Sequence, residues 1–107
     1  MLTFNLKKEW YEKIKSGEKT HEYREYKPYW ITRISNYFNT TFDDVDLVLQ
    51  LPRELKKPIA FKCGYKGETI KAITKSIKIA DGLFTDLEIK KPVFDIKFEL
   101  IEEVEND

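Results

Sequence analysis

The sequence carries one cysteine, Cys63, and one histidine, His21, in 107 residues. A single thiol excludes an internal disulfide framework, and one residue of each type cannot build a Cys/His metal cage. No apolar run approaches the ~20 residues that a membrane-spanning helix needs. Met1-Leu2-Thr3-Phe4 also lacks the charged-then-apolar order of a secretory leader. The expectation is therefore a protein of the reducing cytoplasm with no membrane partner. Four glycines and four prolines are too few for a low-complexity chain, and no stretch of 20–50 residues repeats. Charge of one sign is not in excess either, since nineteen basic residues meet nineteen acidic ones.

What is present is a globular composition, 41% hydrophobic and 14% aromatic. This length suits one domain, residues 1–107, burying about two thirds of the surface its extended chain would expose. The charges are unevenly spread. Residues 51–79 hold eight basic and two acidic residues, whereas residues 80–107 hold three basic and nine acidic ones. A basic middle segment is compatible with phosphate binding, and an acidic end commonly serves solubility.

Periodicity orders the chain into short elements. Leu2, Phe4 and Leu6 alternate with polar residues as in a half-buried strand. Trp10, Tyr11 and Ile14 fall at helical spacing between Lys8 and Ser16, with Gly17 placed to end the helix. Lys19–Glu25 reads as a second strand. Pro28 suits the first turn of a second helix, whose stripe is Trp30, Ile31, Ile34, Tyr37 and Phe38 and which Asn39 ends. Val45–Leu51 fits either period, and Pro52 and Pro58 bracket a charged, loop-like stretch. Ile59–Tyr65 and Thr69–Ile79 read as strands. The apolar residues of the second of these change parity, which calls for burial on both faces or a bulge. After an Asp81-Gly82 turn, Phe94, Ile96, Phe98 and Leu100 alternate with Asp95, Lys97 and Glu99 in a last strand. Strands outnumber helices and no β-α-β rhythm runs through the chain. The pattern predicts an α+β domain with a small mixed or antiparallel barrel of about five to six strands, flanked by two main helices.

The densest polar cluster runs from Gly17 to Trp30. Residues two apart on a strand share a face, so Glu22 and Arg24 point together with Thr20, and Lys19 stands at the strand's entrance. A glutamate and an arginine so placed can pair and fix each other. Arg24 and Lys19 can hold a phosphate or a carbonyl oxygen, while Glu22 can accept N–H donors from a base edge or act as a general base. Trp30, Tyr29 and Tyr65 can offer a stacking face. The same residues also fit a solvated strand face with an ordinary salt bridge.

Gly17-x-Lys19-x-x-Glu22-x-Arg24 resembles the GxKxxExR signature of ASCH domains, a family of PUA-like barrels. Tyr26-Lys27-Pro28-Tyr29-Trp30 resembles the continuation found in small single-domain bacterial and phage members. Phe61-Lys62-Cys63-Gly64-Tyr65 looks like their Asn-Gly-Tyr turn, with Cys63 where Asn is usual. The resemblance covers nearly the whole chain. It implies a PUA-like barrel with a cleft lined by the signature, and binding of RNA or a nucleotide or nucleoside there. The implied ligand-binding residues are Lys19, Glu22, Arg24, Lys27, Trp30 and Tyr65. It also implies an alternative, a small hydrolase acting on RNA or a modified nucleoside, with Lys19 and Glu22 catalytic. One branch of the family hydrolyses acetylcytidine with a lysine, which Lys19 matches, and a threonine, at whose position Glu22 stands. The nucleophile of that branch is thus missing.

Several of these residues have a plainer reading. Trp30 shares a helical stripe with Ile31 and Ile34 and fits core packing better than stacking. Tyr65, after the glycine of a turn, sits equally well at a cleft rim or on a loop surface. Lys27 adds charge at the cleft mouth or is simply solvated. His21 points away from Glu22 on a regular strand and is expected to be superficial or partly packed, although a ribonuclease would use it or Glu22 as base. Cys63 is expected to be an inert, buried thiol. The lysines from Lys56 to Lys78 fit solvated faces or a phosphate track. No paired carboxylates, glycine-rich phosphate loop or metal-ligand spacing is present, so neither a metal nor a cofactor is implied.

Overall fold

The structure is a computed structural model that describes residues 1–64 and 67–101. The element order is β1 (Leu2–Leu6), α1 (Lys8–Lys15), β2 (His21–Glu25), α2 (Pro28–Phe38), α3 (Asp44–Leu49), β3 (Arg53–Glu54), β4 (Pro58–Cys63), β5 (Thr69–Asp81), a 3-10 turn (Gly82–Phe84) and β6 (Pro92–Leu100). The strands form one curled sheet in the order β1-β4-β5-β6-β2, with β3 paired to β5. Only β1 and β4 run parallel, and the other pairs are antiparallel. The fold is thus a small α+β half-barrel with two main helices. Its two edge strands, β1 and β2, flank the opening.

The alternation read from the sequence makes the core. Leu2, Phe4 and Leu6 of β1, Ile59 and Phe61 of β4, and Phe94, Ile96 and Phe98 of β6 are all buried. Tyr11 and Ile14 from α1 and Ile34 and Phe38 from α2 join them, with Phe42 from the segment beyond. Phe4, Phe61 and Phe94 have no exposed surface at all. Each such ring contributes roughly 1.5–3 kcal/mol of transfer free energy to the folded state. The parity change in β5 is a bulge. Thr74 pairs with Phe98 and Ser76 with Lys97, leaving Lys75 as the extra residue. Ala72 and Thr74 before it and Ile77 and Ile79 after it therefore all turn inward. Thr74 is buried without cost because its hydroxyl donates to Leu55 O at 2.6 Å and accepts Lys57 N–H at 2.9 Å.

The helix ends match their residues. Pro28 occupies the first turn of α2, and Asn39 caps its end in the left-handed conformation at φ 51°. Gly17, at φ +85°, turns the chain out of α1 with its N–H on Ile14 O. That turn lets the Lys19 N–H bond Lys13 O at 2.9 Å, which delivers Lys19 to the head of β2. The ambiguous stretch at Val45–Leu51 resolves as α3. An Asp43/Asp46 capping box starts this helix, which has no buried residue of its own. The stretch between Pro52 and Pro58 is not wholly loop, since Arg53–Glu54 pairs with β5.

Among the described residues, no helix is long and apolar enough to cross a membrane. The basic middle segment is partly neutralised by its neighbour strand: Lys75 meets Glu99 at 3.2 Å, and Lys78 lies 4.0 Å from Asp95. Cys63 is free and half-buried at the end of β4, packed against the core.

Candidate ligand-binding cleft

A cleft of about 470 Å³ opens at the seam between the two edge strands. Asn5 and Leu6 of β1 form one side, and Glu22 and Arg24 of β2 the other. Trp10 of α1 and Trp30 of α2 contribute aromatic walls, and Asp86 comes from the segment before β6. Lys19 and Lys27, at the two ends of β2, line it too, as do Lys7 and Glu25. Five of the six residues expected to bind ligand thus line one cleft. The sixth, Tyr65, lies outside the described residues. Thr20 departs from expectation, because it lines a neighbouring recess with His21 rather than the cleft.

Glu22 is only 5% exposed. One of its carboxylate oxygens accepts the Tyr23 N–H at 2.9 Å, and the other lies 3.5 Å from Arg24 Nη2. Burial raises its pKa above the ordinary carboxylate value, against the opposing pull of Arg24, Lys19 and the Tyr23 N–H. A carboxyl so placed is costly to keep charged without both cations.

Arg24 has three engagements. Its Nη2 donates to Asn5 O at 3.2 Å, across the seam on β1, and approaches Glu22. Its guanidinium carbon lies 4.9 Å from the Trp30 ring centroid and 5.1 Å from that of Phe4. Its Nε is buried and has no hydrogen-bond partner. Trp30 in turn stacks on Phe4 at 5.5 Å and meets Tyr29 edge-on, so it packs into the fold and lines the cleft at once. The packing role read from its helical stripe holds, and the stripe had no way to show that its ring also reaches the seam.

Lys19 is more enclosed than its place before a strand suggests. Its side chain is 9% exposed, ion-paired with Asp86 and set over the faces of Tyr23 and Trp10 at 4.9 and 5.3 Å. Lys27 is exposed at the mouth, as is Lys7 on the opposite side. Neither lysine has a carboxylate within 4 Å among the described residues.

In the neighbouring recess, His21 Nδ1 lies 2.6 Å from the Asp95 carboxylate of β6. Asp95 is 9% exposed. The partly packed position expected for His21 is found, but its partner was not legible, because Asp95 sat in the polar half of a cleanly alternating strand. Asp86 and Trp10 were likewise missed as cleft residues. Asp86 lies 67 positions from Lys19, in a segment without periodicity, and Trp10 read simply as part of an apolar helical stripe. No group of three or more metal-ligating side chains is assembled among the described residues.

The arrangement offers an aromatic-walled recess with a buried carboxyl acceptor, two ion-paired cations within it and, among the described residues, two exposed lysines without an acidic partner. Comparison with known proteins adds no further guide: no protein-family model, no curated protein and no solved structure matches the chain.

Proposed function

We propose that the cleft binds RNA or a nucleotide or nucleoside, with a base held at Glu22 and Arg24. The observation that carries this reading is the buried Glu22 carboxyl set between Lys19 and Arg24 in a recess walled by Trp10 and Trp30. A carboxyl accepts base N–H donors, a guanidinium donates to base carbonyls, and indole walls exclude the water that would compete. A recess of about 470 Å³ falls within the range of small-molecule sites. Lys7 and Lys27 supply positive charge where a phosphate would leave the cleft.

The test is the anisotropy of a short end-labelled RNA at low salt, alongside calorimetry with free nucleosides. A salt-reversible rise, lost in Glu22→Ala and Arg24→Ala variants that keep the wild-type circular dichroism spectrum, supports the reading. Unchanged affinity in both variants overturns it.

A second reading, hydrolysis of RNA or of an acylated nucleoside, draws on one observation. Burial makes Glu22 hold its proton to higher pH than an ordinary glutamate, the direction that suits a group which gives and takes a proton. Lys19 would then polarise the scissile group. A fall of the anisotropy below its starting value signals cleavage. Absence of turnover of RNA and acylated nucleosides across a broad pH range removes this reading.

A further inference from the structure

Lys19 is the least exposed cation of the cleft, and its charge is already matched. Its ammonium is confined by the Tyr23 and Trp10 rings and paired with Asp86. The two partners are unlike in freedom. The Lys19 side chain is 9% exposed, whereas that of Asp86 is 42% exposed on the segment between the 3-10 turn and β6.

That segment is tied at its base. Gly82 N–H bonds Lys91 O at 2.9 Å, and Ile89 N–H bonds Gly82 O at 3.3 Å. The approach is close enough that a Cβ on Gly82 would lie 2.6 Å from the carbonyl oxygens of Ile89 and Lys91. Asp86 is thus presented to Lys19 by an anchored loop.

Two ion pairs within the cleft are thus Lys19 with Asp86 and Arg24 with Glu22, and the third lining carboxylate, Glu25, is turned to Lys91 at 3.3 Å. Lys7 and Lys27, which have no carboxylate within 4 Å among the described residues, line the cleft as exposed side chains. We propose that Asp86 is a specificity-determining residue of this cleft. Its carboxylate occupies the anion position at Lys19 Nζ, keeps ligand phosphate out of the interior and leaves that space to the neutral, planar part of the ligand. Phosphate is directed to Lys7 and Lys27 instead. This inference rests on the nucleotide-binding reading above and names the part of the ligand that enters.

The physical basis is like-charge exclusion in an enclosed site. A phosphate brought to Lys19 would meet the Asp86 carboxylate already paired there and be opposed by like-charge repulsion, and removing that carboxylate beside an enclosed lysine uncovers an anion site. The test is calorimetric titration of wild-type protein and the Asp86→Asn variant with the four ribonucleosides, their 5′-monophosphates and inorganic phosphate. The expected result is a shift of about ten-fold in the nucleoside-to-monophosphate affinity ratio, toward the monophosphate, in Asp86→Asn. Adding Lys19→Gln to Asp86→Asn should erase the shift. Circular dichroism checks that each variant folds.

If nucleosides bind and the ratio does not change, the inference fails while the nucleotide-binding reading stands. A shift that survives Lys19→Gln also overturns it, because the phosphate is then held elsewhere. A gain for inorganic phosphate without one for any monophosphate overturns it too. If wild-type protein binds no nucleoside, monophosphate or RNA, the broader reading fails and takes this inference with it.

Discussion

Arg24 Nη2 on β2 donates to the main-chain carbonyl of Asn5 on β1, so one guanidinium links the two free edges of the sheet. The same nitrogen faces Glu22, and the guanidinium carbon lies over the rings of Phe4 and Trp30. The residue that lines the cleft is therefore also the one that holds its two sides together.

Replacing Arg24 with alanine should cost about 2–4 kcal/mol, because it leaves the buried Glu22 carboxyl without its nearest cation and Asn5 O without its donor. Arg24→Lys should recover only part of this, since one ammonium cannot reach both acceptors and cover the rings. Urea unfolding of both variants measures the loss. Combining Arg24→Ala with Glu22→Gln should restore about 1 kcal/mol or more, the sign of coupling within a pair. Strict additivity would mean that the two side chains do not interact.

Glu22 also sets a pH dependence. Burial, opposed by Arg24 and Lys19, leaves its pKa raised in the folded chain. Above the ordinary value of 4.5 and up to the raised one, the folded chain holds a proton that the unfolded chain has lost. Stability from this group therefore falls as pH rises through that window and levels off beyond it. Asp46 works in the opposite sense. Burial would raise its pKa, but the Asp43 N–H and the Arg53 guanidinium outweigh that and hold it low, so its contribution is lost as pH falls. Comparing wild type with Glu22→Gln cancels the Asp46 effect. The difference in unfolding free energy between the two proteins should shift in favour of the variant as pH rises through that window and then stay constant. A pH-independent difference would contradict the raised value.

Most strands and the two main helices were legible because each follows a single period, and the parity break in Thr69–Ile79 left burial on both faces or a bulge open, which the structure resolves as a bulge at Lys75. The Glu22–Arg24 face was legible for the same reason, since strand neighbours two apart need no tertiary information. Contacts that depend on how the sheet curls were not. Nothing local ties Asp86 to Lys19 or Asp95 to His21, and Asn5 contributes a carbonyl that no side-chain pattern encodes. Thr20 was misplaced because the regular strand begins only at His21. Val45–Leu51 stayed ambiguous because α3 is set by its Asp43/Asp46 cap and not by a buried stripe.

His21 and Asp95 are predicted to fix one imidazole tautomer. With Nδ1 2.6 Å from the carboxylate, the neutral ring carries its proton on Nδ1 and leaves the Nε2 lone pair free. Long-range proton–nitrogen correlation spectra of the neutral ring should show Nδ1 protonated, against the Nε2 form usual for a free imidazole. Asp95→Asn should abolish that preference. A wild-type ring protonated at Nε2 would show that the carboxylate does not orient it.

The lysines at the mouth predict how affinity responds to salt. Lys7 and Lys27 are exposed and lack acidic partners within 4 Å among the described residues. Their counterions are thus free to be released by a phosphate backbone. For single strands, each neutralised phosphate contributes about 0.7 to the slope of log affinity against log salt. Lys27→Ala should lower that slope by about 0.7 and weaken every RNA sequence alike, and adding Lys7→Ala should lower it again by a similar step. Lys19, already matched by Asp86, should contribute much less than either until Asp86 is neutralised. A slope that ignores Lys7 and Lys27 but collapses in Lys19→Gln would place the phosphate inside the cleft and reverse the orientation assigned to the ligand.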